Sequence, residues 1–105
     1  MTDPIGAKIL TDAAAAVVDR HQKYGSPAVN FQRIVDLWNA YLRGKYGPTV
    51  PMLNVVDVAL LSILIKIGRL EQASDHMDSV IDIAGYAACL GEIISTVPVP
   101  PTGNS

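Results

Sequence analysis

The stretch Val55-Val56-Asp57-Val58-Ala59-Leu60-Leu61-Ser62-Ile63-Leu64-Ile65-Lys66-Ile67-Gly68-Arg69-Leu70 decides how this chain folds, together with Asp78-Ser79-Val80-Ile81-Asp82-Ile83-Ala84-Gly85-Tyr86-Ala87-Ala88 after a short break. In the first stretch only Asp57, Ser62, Lys66 and Arg69 are polar. Val and Ile are frequent in both, which by propensity alone leaves strands open. Segment length and the three-and-four spacing of the apolar residues favour helices. A helix apolar nearly all round belongs at the centre of a fold, with its few polar groups turned toward something specific. The second stretch extends over 75–96, with Ser74 or Asp75 as its cap. Its run of small residues at 84–88, with Gly91, admits a neighbouring helix at close range. Ser74-Asp75 is the one break between the two, so they form an antiparallel hairpin.

Outward from this hairpin, Tyr24-Gly25-Ser26-Pro27 and Lys45-Tyr46-Gly47-Pro48 with Pro51 mark two further turns. A first helix is predicted over 7–22, where the Ala13–Ala16 run favours helix and Ile9, Leu10, Ala13 and Val17 keep a helical spacing. A second covers 28–43, with Ser26 as N-cap and Pro27 at its first position. Its apolar stripe is Phe31, Ile34, Val35, Trp38, Tyr41 and Leu42, with Gln32, Asp36, Asn39 and Arg43 mainly outside it. Asn54 caps the third helix, 55–72, where Asp57 fits a capping role or a site equally. The expected architecture is an all-α bundle of four helices in a single domain, 1–97, followed by a Pro-rich extended tail, 98–105.

The hairpin carries the chain's most demanding polar groups. With the turn centred near Ser74, Lys66 lies opposite Asp82, Arg69 opposite Ser79, and Ser62 opposite Tyr86. Lys66 and Arg69 share one face by their i,i+3 spacing; Asp78, Asp82 and Tyr86 share another by i,i+4. Two cations thus confront two carboxylates and a phenol within apolar helices, and an unpaired buried charge there would cost several kcal/mol. One reading is an ion-pair cluster that closes the hairpin. The other is a polar pocket in which Lys66 and Arg69 hold a phosphate while Asp78 and Asp82 orient the cations or bind Mg²⁺. The turn His21-Gln22-Lys23-Tyr24-Gly25 divides in the same way. It is either C-terminal helix chemistry, cations at the negative dipole end and Gly25 as the stop, or a site with Lys23 on phosphate, Tyr24 on a base, and Asn30 and Arg33 beside them. His21 and His76 read as solvated or capping side chains, Trp38 as core or subunit interface, and Cys89 as packed.

Composition narrows the function classes. Of 105 residues 50% are apolar, enough for a core, while only 17% are charged against about 25% in an average domain. So little charge on a small domain predicts that part of its surface is covered by another chain, in a homo-oligomer. A radius of gyration of about 13 Å is expected for a compact chain of this length. The net charge of −2 gives no general attraction to nucleic acid or anionic lipid. One cysteine excludes an internal disulfide and a cysteine-built zinc site. Met1-Thr2-Asp3-Pro4 does not open a signal peptide, and the apolar stretch from Val55 to Ile67 is too short and too charged to span a bilayer. A cytoplasmic protein is expected. Phosphate-loop, zinc-protease and catalytic-triad motifs are missing from the chain, as is a basic stripe for DNA.

Several motifs together carry a resemblance. They are Asp19-Arg20-His21-Gln22-Lys23-Tyr24-Gly25, Asn30-Phe31-x-Arg33-Ile34, Leu37-Trp38-x-x-Tyr41-Leu42, Asp57-Val58-Ala59-Leu60, Lys66-Ile67-x-Arg69-Leu70 and Asp78-x-x-x-Asp82-Ile83-Ala84-Gly85-Tyr86-Ala87. Over about residues 8 to 92 the chain resembles a group of short bacteriophage and prophage proteins of uncharacterised function. It is more weakly similar to phage nucleotide-modification-associated domains, and more remotely to MazG-like all-α nucleotide pyrophosphohydrolases. That last likeness implies Mg²⁺-dependent cleavage of nucleoside triphosphates in a dimer or tetramer, within an infected host's cytoplasm. Those enzymes hold magnesium with Glu-x-x-Glu on one helix and Glu-x-x-Asp on the next. Here Lys66-x-x-Arg69 stands where the first acidic pair would be, which reverses the local charge. The residues and the resemblance together lead to the expectation of a binder of a nucleotide-like phosphorylated molecule, with Lys23, Tyr24, Asn30, Arg33, Lys66, Arg69, Asp78, Asp82 and Tyr86 as candidate contacts and Asp78 and Asp82 as candidate Mg²⁺ ligands. Such a protein is either a variant nucleoside triphosphate pyrophosphohydrolase or a non-enzymatic protein that sequesters a nucleotide signal of host defence. The alternative is an interaction protein whose charged hairpin fixes a subunit interface.

Overall fold

In a computed structural model, which describes residues 3–96, the chain forms four α-helices and no strand among those residues. They are α1 (Ile5–Tyr24), α2 (Pro27–Tyr46), α3 (Val55–Gln72) and α4 (Met77–Thr96). The all-α expectation holds, with 83% of the described residues helical. The Pro-rich tail expected over 98–105 lies outside the described residues.

Local chemistry sets most of the boundaries. Ser26 caps α2, its hydroxyl accepting from the Val29 amide at 3.4 Å, with Pro27 at the first helical position. At α3 a reciprocal capping box forms: the Asn54 side chain accepts from the Asp57 amide at 3.2 Å, and the Asp57 carboxylate accepts from the Asn54 amide at 2.8 Å. Asp57 is thus committed to the helix start. Gly25 and Gly47 end α1 and α2 at φ +83° and +95°, a region that a side chain at either position would strain. The start of α4 departs from expectation. Neither Ser74 nor Asp75 opens it; the chain first turns through a bond from the His76 amide to the Ala73 carbonyl, and the helix begins at Met77.

Packing follows from which helix is touched by the others. α3 and α4 form the expected hairpin, and α4 also meets α1 and α2, whereas α1 makes no comparable contact with α2 or α3. The central helix is therefore α4, and the expectation for α3 is corrected. α4 is also the one described helix long and apolar enough to cross a membrane by length and composition, at a mean hydropathy of 1.2. The core gathers Phe31 and Val35 of α2, Val55, Val58 and Ala59 of α3, and Cys89 and Ile93 of α4. α3 buries only its first turns; Leu60, Leu61, Leu64, Ile65 and Ile67 remain exposed. Leu10 of α1 and Tyr41 of α2, both placed on apolar stripes by their spacing, also face outward. The result is an open assembly. Its radius of gyration is 15.8 Å, above the about 13 Å of a compact chain this long, and its extents are 57 × 35 × 33 Å.

Candidate functional site

The hairpin register places Lys66 of α3 against Asp82 of α4, and the Lys66 Nζ lies 3.0 Å from the Asp82 Oδ2. The side chains keep only 16% and 27% of their exposure, so this ion pair is largely sheltered. From the other side comes Arg20 of α1, whose guanidinium sits 5.0 Å from the centre of the Tyr86 ring. That ring in turn lies 6.5 Å from Phe31, tilted by 40°, which ties the site to the core. Burial pulls the Arg20 pKa down, but the Tyr86 hydroxyl and then the Asp82 carboxylate outweigh it and leave the pKa above its ordinary value. Arg20 is accordingly a fixed cation. Asp82 is thus paired with Lys66, and Arg20 lines the same narrow cleft as Asp82 while stacking on Tyr86.

Nearly three turns beyond Asp82 along α4, the two carboxylate oxygens of Glu92 lie 2.9 and 3.0 Å from the His21 Nε2. Between these pairs Cys89 is buried. Desolvation pushes its thiol pKa up; the nearby Arg20 opposes this and Glu92 reinforces it. The thiol stays protonated and unreactive at neutral pH, as its packed position predicts.

Of the residues expected at a site, the structure brings Asn30, Lys66, Asp82 and Tyr86 to this junction. Asn30 lines a narrow cleft with Arg20, His21, Gly25, Pro27 and Phe31. The others stand apart. Lys23 pairs with Asp19 one turn back at 3.1 Å on the surface, and Tyr24 is exposed at the end of α1. Arg33 is exposed on α2, and Asp78 is exposed in the first turn of α4. Arg69 lines a shallow hollow at the hairpin turn with Gln72, Ala73 and His76, away from Asp82. His76 serves the turn itself, its Nδ1 lying 2.7 Å from the buried Ser79 hydroxyl.

Sequence reasoning missed Arg20, His21 and Glu92. A signal for Arg20 was present. Ala13, Val17 and Arg20 follow one another at intervals of four and three, so Arg20 continues the stripe by which α1 packs on α4. Glu92 likewise continues Asp82, Gly85 and Cys89, which face Arg20 across a second narrow cleft. The two polar clefts have volumes of about 10 and 20 Å³. A far larger hollow lies elsewhere and is apolar, about 550 Å³ between α2 and α3.

A family model described as a domain of unknown function (DUF6378) matches residues 8–94. The chain belongs to the DUF6378 family. The matched span runs from α1 through the hairpin and includes every residue of the Arg20–Tyr86–Asp82–Lys66 cluster. Among similar proteins, the Gene 55 protein of Mycobacterium phage L5 is 43% identical over 84 residues, 78% of this chain and 49% of the relative. The Gene 55 protein of Mycobacterium phage D29 is 39% identical over 75 residues, 71% of this chain and 45% of the relative. The chain thus spans about half the length of these phage relatives. No solved structure matches it.

Proposed function

We propose that this member of a phage protein family binds a small phosphate-bearing ligand of the nucleotide class where α1, α3 and α4 meet. One observation carries the reading: Lys66 is paired with the sheltered Asp82, while Arg20 lines the same narrow cleft as Asp82 and stacks on Tyr86 with no carboxylate within 4 Å among the described residues, which leaves its positive charge unpaired there. A phosphate oxygen answers that surplus with charge-assisted hydrogen bonds. The polar clefts hold about one water each, so the phosphate sits at their mouth rather than deep inside. Asn30 lines the neighbouring cleft with Arg20, placed for a sugar or base edge, and the exposed Tyr24 at the end of α1 offers a stacking face beside Lys23, which Asp19 pairs at 3.1 Å.

Binding without turnover is the form of this reading that the donor set favours. A MazG-like hydrolase needs clustered carboxylates for Mg²⁺. Asp82 is engaged by Lys66, Asp78 is exposed, and among the described residues no group of three or more His, Cys, Asp and Glu side chains gathers. These residues do not by themselves form a magnesium cage, and no catalytic step is assigned to one.

Thermal shift and calorimetry against nucleoside mono-, di- and triphosphates, cyclic nucleotides and pyrophosphate, with and without Mg²⁺, test the proposal. A bound ligand at 100 times its Kd stabilises the fold by about 2.7 kcal/mol. That gain should vanish in Arg20→Gln and Lys66→Gln, and the ligand should be recovered intact. Silence across the whole panel at millimolar concentration removes the reading. Pyrophosphate release that Asp82→Ala abolishes replaces sequestration with hydrolysis. A second reading, a purely structural cluster, is favoured by the short and sheltered Lys66–Asp82 contact itself.

A further inference from the structure

The exposed side of α3 is the largest unexplained feature of the molecule, and it lies away from the polar cluster. Leu60, Leu61, Leu64 and Ile65 recur at helical spacing on one face, and Tyr41 and Leu37 of α2 extend the same surface. Their exposures run from 38% to 71%. Half-buried Trp38, Leu42 and Leu53 floor the groove between the two helices. We infer that this α2–α3 face is the interface with a second copy of the same chain, in a two-fold dimer.

Area and charge argue for that occupant. Six side chains of this size, bared by about half and each offering on the order of 150 Å², present about 500 Å² of apolar surface. A monomer's largest apolar patch is usually about 300–600 Å², and such patches mark interaction sites. A standard interface takes about 800 Å² from each partner, with roughly 65% apolar in homodimers, or about 520 Å². The face therefore matches what one protomer contributes to a dimer. No charged side chain lines the groove. In a two-fold interface residues near the axis meet their own copies, so a charge there would face its like. The groove lining meets itself at no such cost; the face carries one flanking charge, Lys45, whose Nζ lies 5.9 Å from the Tyr41 ring. Gly68, exposed on α3 with open space at its Cβ position, also lets a partner helix come close. The scarcity of charge in the chain as a whole has the same explanation: part of the surface is interior in the dimer.

Sedimentation velocity and light scattering from about 1 to 100 µM test this directly. The wild-type chain should run as a dimer. Leu64→Arg and Leu61→Arg should weaken association roughly 100-fold or more while far-UV circular dichroism stays helical. Leu61→Asn is the milder variant should an arginine disturb folding, and it should weaken the dimer in the same direction. Met77→Arg, at an exposed position outside the groove, should leave the dimer unchanged. In a Cys89→Ala background, Leu64→Cys should cross-link copy to copy on oxidation. A wild-type monomer at about 100 µM overturns the inference, whether it is silent or binds phospholipid vesicles or another protein through Leu64. So does a dimer that both α3 arginine variants leave intact.

Discussion

Asn39 keeps only 6% of its exposure, and its side-chain amide meets both backbone groups of Leu53. The Asn39 Nδ2 donates to the Leu53 carbonyl at 2.9 Å, and the Leu53 amide donates to the Asn39 Oδ1 at 2.8 Å. Fourteen residues of separation are closed by this clamp, which pins the 47–54 loop to α2 and sets where α3 begins. Its spacing put it among the outward residues of α2, because a helical wheel counts an amide as polar and cannot see a distant backbone that needs both a donor and an acceptor. Asn39→Ala should lower unfolding stability by about 1–3 kcal/mol, since two part-buried backbone groups lose their partner. Urea denaturation measures it, and a loss under about 0.5 kcal/mol, the range of ordinary surface changes, would show that water replaces the clamp. His21 and Arg20 were obscured for a related reason. At the end of a helix a cation has a ready local explanation in the dipole, and only α4 reveals that Arg20 turns inward onto Tyr86.

At the scale of elements, the hairpin was the most legible feature. The turn at Ser74 fixed the opposition of Lys66 and Asp82 by counting alone, and the 3.0 Å contact agrees with that count. Arg69 and Asp78 were grouped with them by the same spacing, yet both are exposed close to the hairpin turn. Proximity to the turn is what separates the two pairs: near the end of a hairpin a long side chain finds water more readily than a partner. Replacing the pair tests what it does for the fold. Lys66→Met or Asp82→Leu alone should cost about 1–3 kcal/mol by leaving a sheltered charge, less than a fully buried pair because both groups keep some water. The double variant should recover most of that loss or exceed the parent's melting temperature. If instead the two losses simply add, the contact carries no coupling and the charges act independently.

At the scale of the molecule, α1 is attached by one neighbour and α2, α3 and α4 by one another. Ile5 and Leu10 on the first half of α1 are exposed, so few buried contacts oppose its opening. Amide hydrogen exchange should be fastest among helical residues 5–12 and slowest around Val58–Ala59 and Cys89–Ile93. Equal protection in both regions would mean that α1 unfolds only with the whole. A dimer across α3 would leave this ordering unchanged, because α1 lies on α4 rather than on the exposed α3 face.

Helix number, the caps at Ser26 and Asn54 and the facing of Lys66 and Asp82 are determined by the chain's own order, because each depends on neighbours within a turn or on counting back from a tight bend. Which helix is enclosed depended on three-dimensional packing. Hydrophobicity named α3, but burial is shared out by how many neighbours a helix finds, and the small-residue surface of α4 receives three while the bulkier α3 receives two. The same competition turned a half-buried Arg20 onto Tyr86 and left leucines exposed.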